Sequence, residues 1–304
     1  MRTFQDKNSE FYEGLPFMVI RGLHIPFPCV AEIKFDGEFQ YIIKRKNQVY
    51  LVNKQEHGRI RTDMPVTQLD IPDDSVLIGE LIWGRGDNFY DFLRHKLDPN
   101  LNLVIFGCLR WGGEDVWKHY DYLETRKLLE SHQFNNKKVC LAPKTVCRNQ
   151  KELDSFFNLV TSKGFEGIVI KDPLSKYVDG ETGRWAKRKY ETDNDFVIMG
   201  FQSGTKRAKN LSILVGHKIN GKIERLCYVG GGFTLEQKDA LLKSLKNIVI
   251  ERNGEEYLVD PRIVVTVKHC GVIRNNEGKI HSLRHPRFKC FRFDKTVEQI
   301  DTIR

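Results

Sequence analysis

The chain has 304 residues, 49 Lys and Arg against 40 Asp and Glu for a net charge of +9, and 40% hydrophobic residues. This composition excludes an intrinsically disordered chain, and no apolar run approaches the ~18 residues of a membrane span. The length suits two domains, and the basic excess favours a polyanionic partner such as nucleic acid. The N-terminal MRTFQDKNSEFYEG lacks the apolar core of a secretion signal, and the seven cysteines contain no CxxC pair. A reducing cytoplasmic setting is therefore expected, nucleoid-associated in a prokaryote.

In chain order, AEIKFDGEFQ at 31–40 reads as a strand with Ala31, Ile33 and Phe35 on one face. Glu32, Lys34 and Asp36 share the other, either solvated or lining a polar cavity. Strand-like runs follow at 40–45, 48–53, 75–83 and 101–109. A helix is expected around DYLETRKLLESH. Another is expected in KELDSFFNLVTSKG, where Leu153, Phe156, Phe157 and Val160 form one stripe and Gly164 marks the stop. FEGIVIKD and RWAKRK are strand-like again.

After ETDND the strands shorten. Asn220-Gly221 lies between two strand runs as a hairpin turn, and Thr234 with Gln237 forms a capping box ahead of a helix carrying Leu241, Leu242, Leu245 and Ile248. Short strands with one helix suit a small barrel of the OB type. The expected domains are 1–191 and 192–304.

Several residue types are out of place for a plain core. Glu80 lies inside VLIGELIW, where burial without a partner costs about 1–3 kcal/mol unless the residue sits at a strand end and reaches water. Glu166 and Lys171 bracket the apolar strand of FEGIVIK. Lys187 and Lys189 share a face of RWAKRK, either as a phosphate site or as a solvated basic edge. His281 and His285 lie near Cys270 and Cys290 but lack the paired spacing of a zinc site.

Taken in order, KFDG, the GEL around Glu80, FEGIVIK, WAKRK and SLRHPRFKCFRFDK resemble the motifs of the ATP-dependent DNA ligases. The resemblance runs from about residue 28 to residue 296. It implies an α+β protein: an ATP-grasp-like nucleotidyltransferase domain of mixed and antiparallel sheets with helices, then an all-β OB-fold domain. DFVIMGFQSGTKRAKNLSILVG and YVGGGFT resemble the family's OB strands.

The resemblance also implies a chemistry. Lys34 would attack the α-phosphorus of ATP, release pyrophosphate and carry AMP, which passes to a 5′-phosphate at a nick before the 3′-hydroxyl displaces it. Such an amine must lose its proton, which desolvation and neighbouring cations promote. Lys187 and Lys189 would supply those cations and bind the α-phosphate. Glu32 would lie against the adenine amine, Glu80 against the ribose, and Phe106 on the base, although an aromatic in an apolar run is ordinarily core. Glu166 would help hold Mg²⁺ or Mn²⁺, with Glu80 and Asp294 as further carboxylates, and Asp36 would orient the amine or a metal-bound water. Lys54, Lys171, Arg184, Arg292 and Lys295 complete the nucleotide contacts, the last two on a segment that closes over the nucleotide. Arg284 and Arg287 are either phosphate ligands or a basic strand edge.

Phe39 stands where the family usually has arginine, and Lys54 where it tends to place another, with Arg184 as a nearby compensation. The chain starts almost at the catalytic domain, so a large helical DNA-encircling domain is not expected. The resemblance is instead to the minimal ligases of viruses, phages and bacterial end joining. A monomer acting on nicked double-stranded DNA is expected, with end-joining or repair proteins as partners. The alternatives are an RNA ligase, an mRNA-capping guanylyltransferase, and a decayed scaffold that binds nucleic acid without forming a covalent adenylate.

Overall fold

A computed structural model describes residues 15–53, 60–62, 64–202, 211–275 and 277–303. The chain divides into two units at Lys189/Tyr190, two residues before the expected boundary.

The first unit contains β1 (Met18–Gly22), β2 (Cys29–Lys34), β3 (Glu38–Arg45), β4 (Gln48–Asn53), β5 (Ile60–Arg61), β6 (Ser75–Ile82), β7 (Asn102–Arg110), β8 (Val139–Leu141), β9 (Lys144–Cys147), β10 (Gly167–Lys171) and β11 (Gly180–Lys189). Its helices are α1 (Phe89–His95), α2 (Val116–His119), α3 (Tyr122–Ser131) and α4 (Gln150–Ser162). Two sheets form, a five-stranded one in the order β1-β11-β10-β2-β9 and a six-stranded one in the order β5-β4-β3-β6-β7-β8.

Alternation gives the five-stranded sheet two different faces. Ala31, Ile168, Ile170 and Ala186 form a core with Leu153 and Val160 of α4. That helix follows its expected apolar stripe, is capped by Asn149, and is followed by Gly164 at φ +89°. The opposite face carries Glu32, Lys34, Lys171 and Lys187. The six-stranded sheet buries Ile42, Leu51, Leu77, Leu103 and Ile105 against Phe92 of α1 and Leu129 of α3.

The stretch 31–40 is not one strand. β2 ends at Lys34 and β3 begins at Glu38. Between them the Asp36 N–H donates to the Gly86 carbonyl at 2.9 Å. A side chain at Gly37 would sit 2.2 Å from the Leu81 carbonyl oxygen, so only glycine fits where the chain crosses from one sheet to the other.

The second unit contains β12 (Thr192–Gln202), β13 (Ser212–Ile219), β14 (Lys222–Val229), β15 (Val249–Asn253), β16 (Glu256–Val259), β17 (Val264–His269), β18 (Val272–Arg274), β19 (Ile280–Leu283) and β20 (Arg287–Phe291), with α5 (Leu235–Lys246). The long β12 pairs with β13 along one edge and shares the other between β17 and β16. The sheet therefore curls around Phe196, Ile198, Ile213, Val215, Val265 and Phe288, which Leu241 and Leu245 of α5 cover. This is the half-barrel of an OB-type domain. The turn between β13 and β14 has Asn220 at φ +49° and Gly221 at φ +79°, the type I′ geometry that Asn-Gly favours.

Candidate active site

The register of the five-stranded sheet sets the site. On the face away from α4, Lys34, Gly167 and Lys189 lie side by side on β2, β10 and β11. The next row is Glu32, Val169 and Lys187, and the third is Val30, Lys171 and Trp185. Directly opposed side chains of an antiparallel pair share a face, so four strand lysines and one glutamate converge. Of these rows Lys34, Glu32, Val169, Lys187, Lys171 and Trp185 form one wall of a cavity of about 430 Å³, and Lys189 is not among its lining residues.

Lys34 donates to Glu166, whose carboxylate also takes Lys189 at 2.8 Å. Glu166 is 5% exposed. Burial raises the pKa of its carboxyl, but the charges of Lys34 and Lys189 outweigh that and hold it below the usual range. The amine is thus fixed between a buried carboxylate and a row of cations.

Deeper in the cavity Glu32, 2% exposed, accepts from the Lys171 amine at 2.6 Å, the Tyr122 hydroxyl at 2.6 Å and Arg126 at 3.4 Å. Lys171 is as buried as its partner, and its nitrogen lies 4.2 Å from the Trp185 ring centre and 4.8 Å from that of Tyr122. Burial pushes the Lys171 pKa down, and Glu32 draws it partly back. An ion pair this deep survives because each partner has hydrogen bonds beyond the pair itself.

The six-stranded sheet supplies the other wall, through Glu38 and Phe39 of β3, Glu80 of β6 and Phe106 of β7. Glu80 accepts from the Gly37 N–H at 3.1 Å, and burial pushes its carboxyl up to about 7 against the pull of Lys34. Glu38 is held by Asn53 at 3.1 Å, Gln40 at 2.8 Å and the buried Arg61 at 2.9 Å. Phe106 is half-buried with its ring 6.0 Å from Phe39, which also packs edge-on to Phe17 and Tyr41. Phe39 therefore belongs to an aromatic wall at this position.

Some expected residues are not gathered here. The Asp36 carboxylate accepts from the Phe89 N–H at 2.5 Å, at the start of α1, and is not among the residues lining the cavity. Arg184 pairs with Asp172 at 2.5 Å in an exposed position and is not among the residues lining the cavity. Lys54 lies outside the described residues. Arg292, Asp294 and Lys295 belong to the second unit, where Arg292 and Lys295 both bind Asp195. Arg287 pairs with Glu191 at 2.6 Å in that same unit. Among the described residues no three His, Cys, Asp or Glu side chains are grouped to hold a metal, and this includes the set around His281 and Cys270.

The model of the ATP dependent DNA ligase domain matches residues 23–189, and that of the ATP dependent DNA ligase C terminal region matches 206–295. The chain belongs to this family. A DNA ligase of Thermococcus fumicolans is 28% identical over 298 residues, covering 90% of this chain and 53% of that one. A DNA ligase of Methanocaldococcus jannaschii is 26% identical, covering 97% and 49%. The chain spans about half the length of the curated relatives it matches. Among solved structures, one titled Pmar-Lig_PreS3 superposes with a TM-score of 0.64 at 23% identity, covering 87% of this chain and 63% of that one. A structure from a study of Lig E DNA ligases, titled as DNA binding with a minimal scaffold, superposes at 0.60 with 16% identity, covering 91% and 99%. At these identities the superpositions establish the ligase fold alone.

Tyr122, Arg126, Glu38, Asn53 and Arg61 of this ligase-family chain were not singled out as site residues from the sequence. Tyr122 and Arg126 sit one helical turn apart on α3 behind the Asp121 capping box. That spacing puts both on one face, but their partner Glu32 is 90 and 94 residues away in sequence. Only the tertiary fold joins them.

Proposed function

We propose that this chain seals nicks in double-stranded DNA at the expense of ATP, carrying AMP on Lys34. The observation that supports this most is the placement of Lys34, which shares the carboxylate Glu166 with Lys189 and lines, with Lys187, a cavity sized for a nucleotide. In the first step the Lys34 nitrogen forms a bond to the α-phosphorus while the bond from that phosphorus to the pyrophosphate oxygen breaks. The amine gives up its proton to solvent water before it attacks. Glu166, kept ionised by two lysines, is a weak base, so its role is to orient the amine and not to store that proton. Lys187 and Lys189 stabilise charge on the phosphate as the pyrophosphate departs.

Phe106 offers the base a ring to stack on, Glu32 offers the adenine amine an acceptor, and Glu80 reaches the ribose. Mg²⁺, or Mn²⁺ in its place, binds carboxylate and phosphate oxygens with few protein ligands. Glu80 lines the cavity and Glu166 meets the amine of Lys34, which also lines it, so carboxylate oxygens suited to an ion completed by phosphate are present. Bound there, the ion would withdraw charge from the phosphate oxygens.

In the second and third steps AMP moves to the 5′-phosphate of the nick, and the 3′-hydroxyl attacks that phosphate and expels AMP. The net charge of +9 suits a duplex partner. Incubation with labelled ATP or GTP, then with nicked DNA or nicked RNA, tests the reading. ATP-dependent closure of the DNA nick supports it; a GTP adduct, or closure of RNA alone, contradicts it.

A further inference from the structure

Tyr122 touches both members of the buried ion pair at the deep end of the cavity. Its hydroxyl donates to Glu32 Oε1 at 2.6 Å, and its ring centre lies 4.8 Å from the Lys171 nitrogen. Arg126 reaches the same carboxylate oxygen only at 3.4 Å, with its Nε held by Glu130 at 2.9 Å. Lys171 donates to Oε2 at 2.6 Å and to the Phe106 carbonyl at 3.4 Å. An ionised carboxylate offers about four lone pairs, shared equally between its oxygens. Tyr122 and Arg126 fill those of Oε1, so among the described residues the acceptor site left over is on Oε2, beside Lys171. Glu32 and Lys171 line the cavity, whereas Tyr122 is buried and does not. The tyrosine is itself fixed: its backbone N–H donates to the Ser175 carbonyl at 2.9 Å, and its ring meets Trp185 edge-on. Burial pushes its pKa up and Glu32 pushes it further, so the hydroxyl keeps its proton and acts as a donor.

We infer that Tyr122 is a positioning residue for base selection: by fixing Oε1 of Glu32 it leaves Oε2 as the acceptor for a purine that carries a 6-amino group, against one that carries a 6-oxo group. The inference rests on the proposed ligase function. Tyr122 touches no nucleotide; it acts through Glu32. A 6-oxo group would set its oxygen against the carboxylate, and Lys171 is a poor donor to it while Glu32 holds that amine. Without the hydroxyl, the nearest donor to Oε1 is gone. The carboxylate can then turn and release Lys171 toward a 6-oxo group. The bond-making at Lys34 is carried by other residues and does not need the hydroxyl.

The test compares the wild-type chain with Tyr122→Phe, which keeps the ring and removes the hydroxyl. The substrates are ATP, inosine 5′-triphosphate with a 6-oxo group, and purine riboside 5′-triphosphate with neither substituent, and rapid quench reads nucleotide transfer to Lys34. In Tyr122→Phe the KM for ATP is expected to rise about 10-fold while the rate at saturating ATP stays within about twofold of wild type. The preference for ATP over inosine triphosphate is expected to fall by about 10-fold or more. The KM for purine riboside triphosphate is expected to change by less than about twofold, which general damage to the fold does not produce. In a Glu32→Gln background the same substitution is expected to add less than about twofold, because both act through one group. If Tyr122→Phe does not fold, wild type carries the test: it is expected to use ATP at least about 10-fold better than purine riboside triphosphate, and equal use overturns the inference. An unchanged ATP KM, an equal rise for ATP and purine riboside triphosphate, or a loss confined to the saturated rate would also overturn it. If wild type forms no adduct with any of the nucleotides, the ligase reading fails first, and the two failures are distinguishable.

Discussion

Lys34 and Glu166, 132 residues apart in sequence, form an ion pair between the last residue of β2 and the residue just before β10. Glu166 immediately precedes β10, whose first residue, Gly167, lies opposite Lys34 on β2 and opposite Lys189 on β11. Gly167 is tolerated by no larger residue, since a Cβ there would lie 2.1 Å from the Arg188 carbonyl oxygen. The backbone therefore fixes where the carboxylate meets the amine.

Glu166→Gln removes the charge and keeps the shape. Lysyl-AMP formation is expected to fall by about 10²-fold, with Lys187→Ala causing a loss of similar size through the phosphate. Rapid-quench measurement of adduct formation at saturating ATP checks both. An adenylation rate within twofold of wild type for either variant contradicts the role assigned to it.

Glu32 and Lys171 are buried together, and breaking such a pair leaves one charge without its counter-ion. Lys171→Met is expected to destabilise the first unit by about 3 kcal/mol, and Glu32→Gln in the same chain to recover part of the loss. Urea unfolding followed by tryptophan fluorescence checks this, since Trp185 lies against Lys171. A double variant less stable than Lys171→Met alone would show that the two residues do not act as a pair.

Glu80 gives a pH dependence of definite sign. Its carboxyl is raised from 4.5 to about 7 in the folded chain, so between those values the folded state binds more protons than the unfolded state. Its contribution to stability is therefore greatest below the unfolded value and is lost as pH rises through about 7. The stability of wild type relative to Glu80→Gln is expected to decline from pH 5 to pH 8 and then level off. Chemical denaturation of both proteins across that range measures it, and a difference that grows with pH runs against the assignment.

Much of this site could be read along the chain because its parts lie on strands with clear alternation: Glu32 and Lys34 on β2, Lys171 on β10, Lys187 and Lys189 on β11. Arg184 could not be placed by alternation, because β11 is irregular between Thr182 and Ala186, and its partner Asp172 lies across that irregular stretch. Asp36 was misplaced for another reason. Period two holds only while the strand lasts, and the strand ends at Lys34 because the chain must cross between sheets at Gly37. Phe39 looked like a lost arginine, while its aromatic partners Phe17, Tyr41 and Phe106 come from three different segments. The ion pairs of Asp195 had no local signal, because its partners Arg292 and Lys295 lie about one hundred residues later. In the second unit, the Asn220-Gly221 turn and the Thr234 capping box were legible because their chemistry is contained within four residues.

The basic charge carries a prediction for DNA binding. If six or more phosphates are neutralised, affinity for a nicked duplex is expected to fall by about 10³-fold between roughly 50 and 200 mM salt. Fluorescence anisotropy with a labelled nicked duplex checks the slope. A binding constant insensitive to salt would rule out phosphate contacts as its main source.

The most direct measurement is the intact mass of the purified chain after exposure to ATP and Mg²⁺, with peptide mapping of the product. The expected result is the gain of one AMP, on Lys34, absent from Lys34→Ala and reversed by pyrophosphate. A chain that gains no AMP across the pH range and with either Mg²⁺ or Mn²⁺, or that carries AMP on another residue, would contradict Lys34 as the nucleophile.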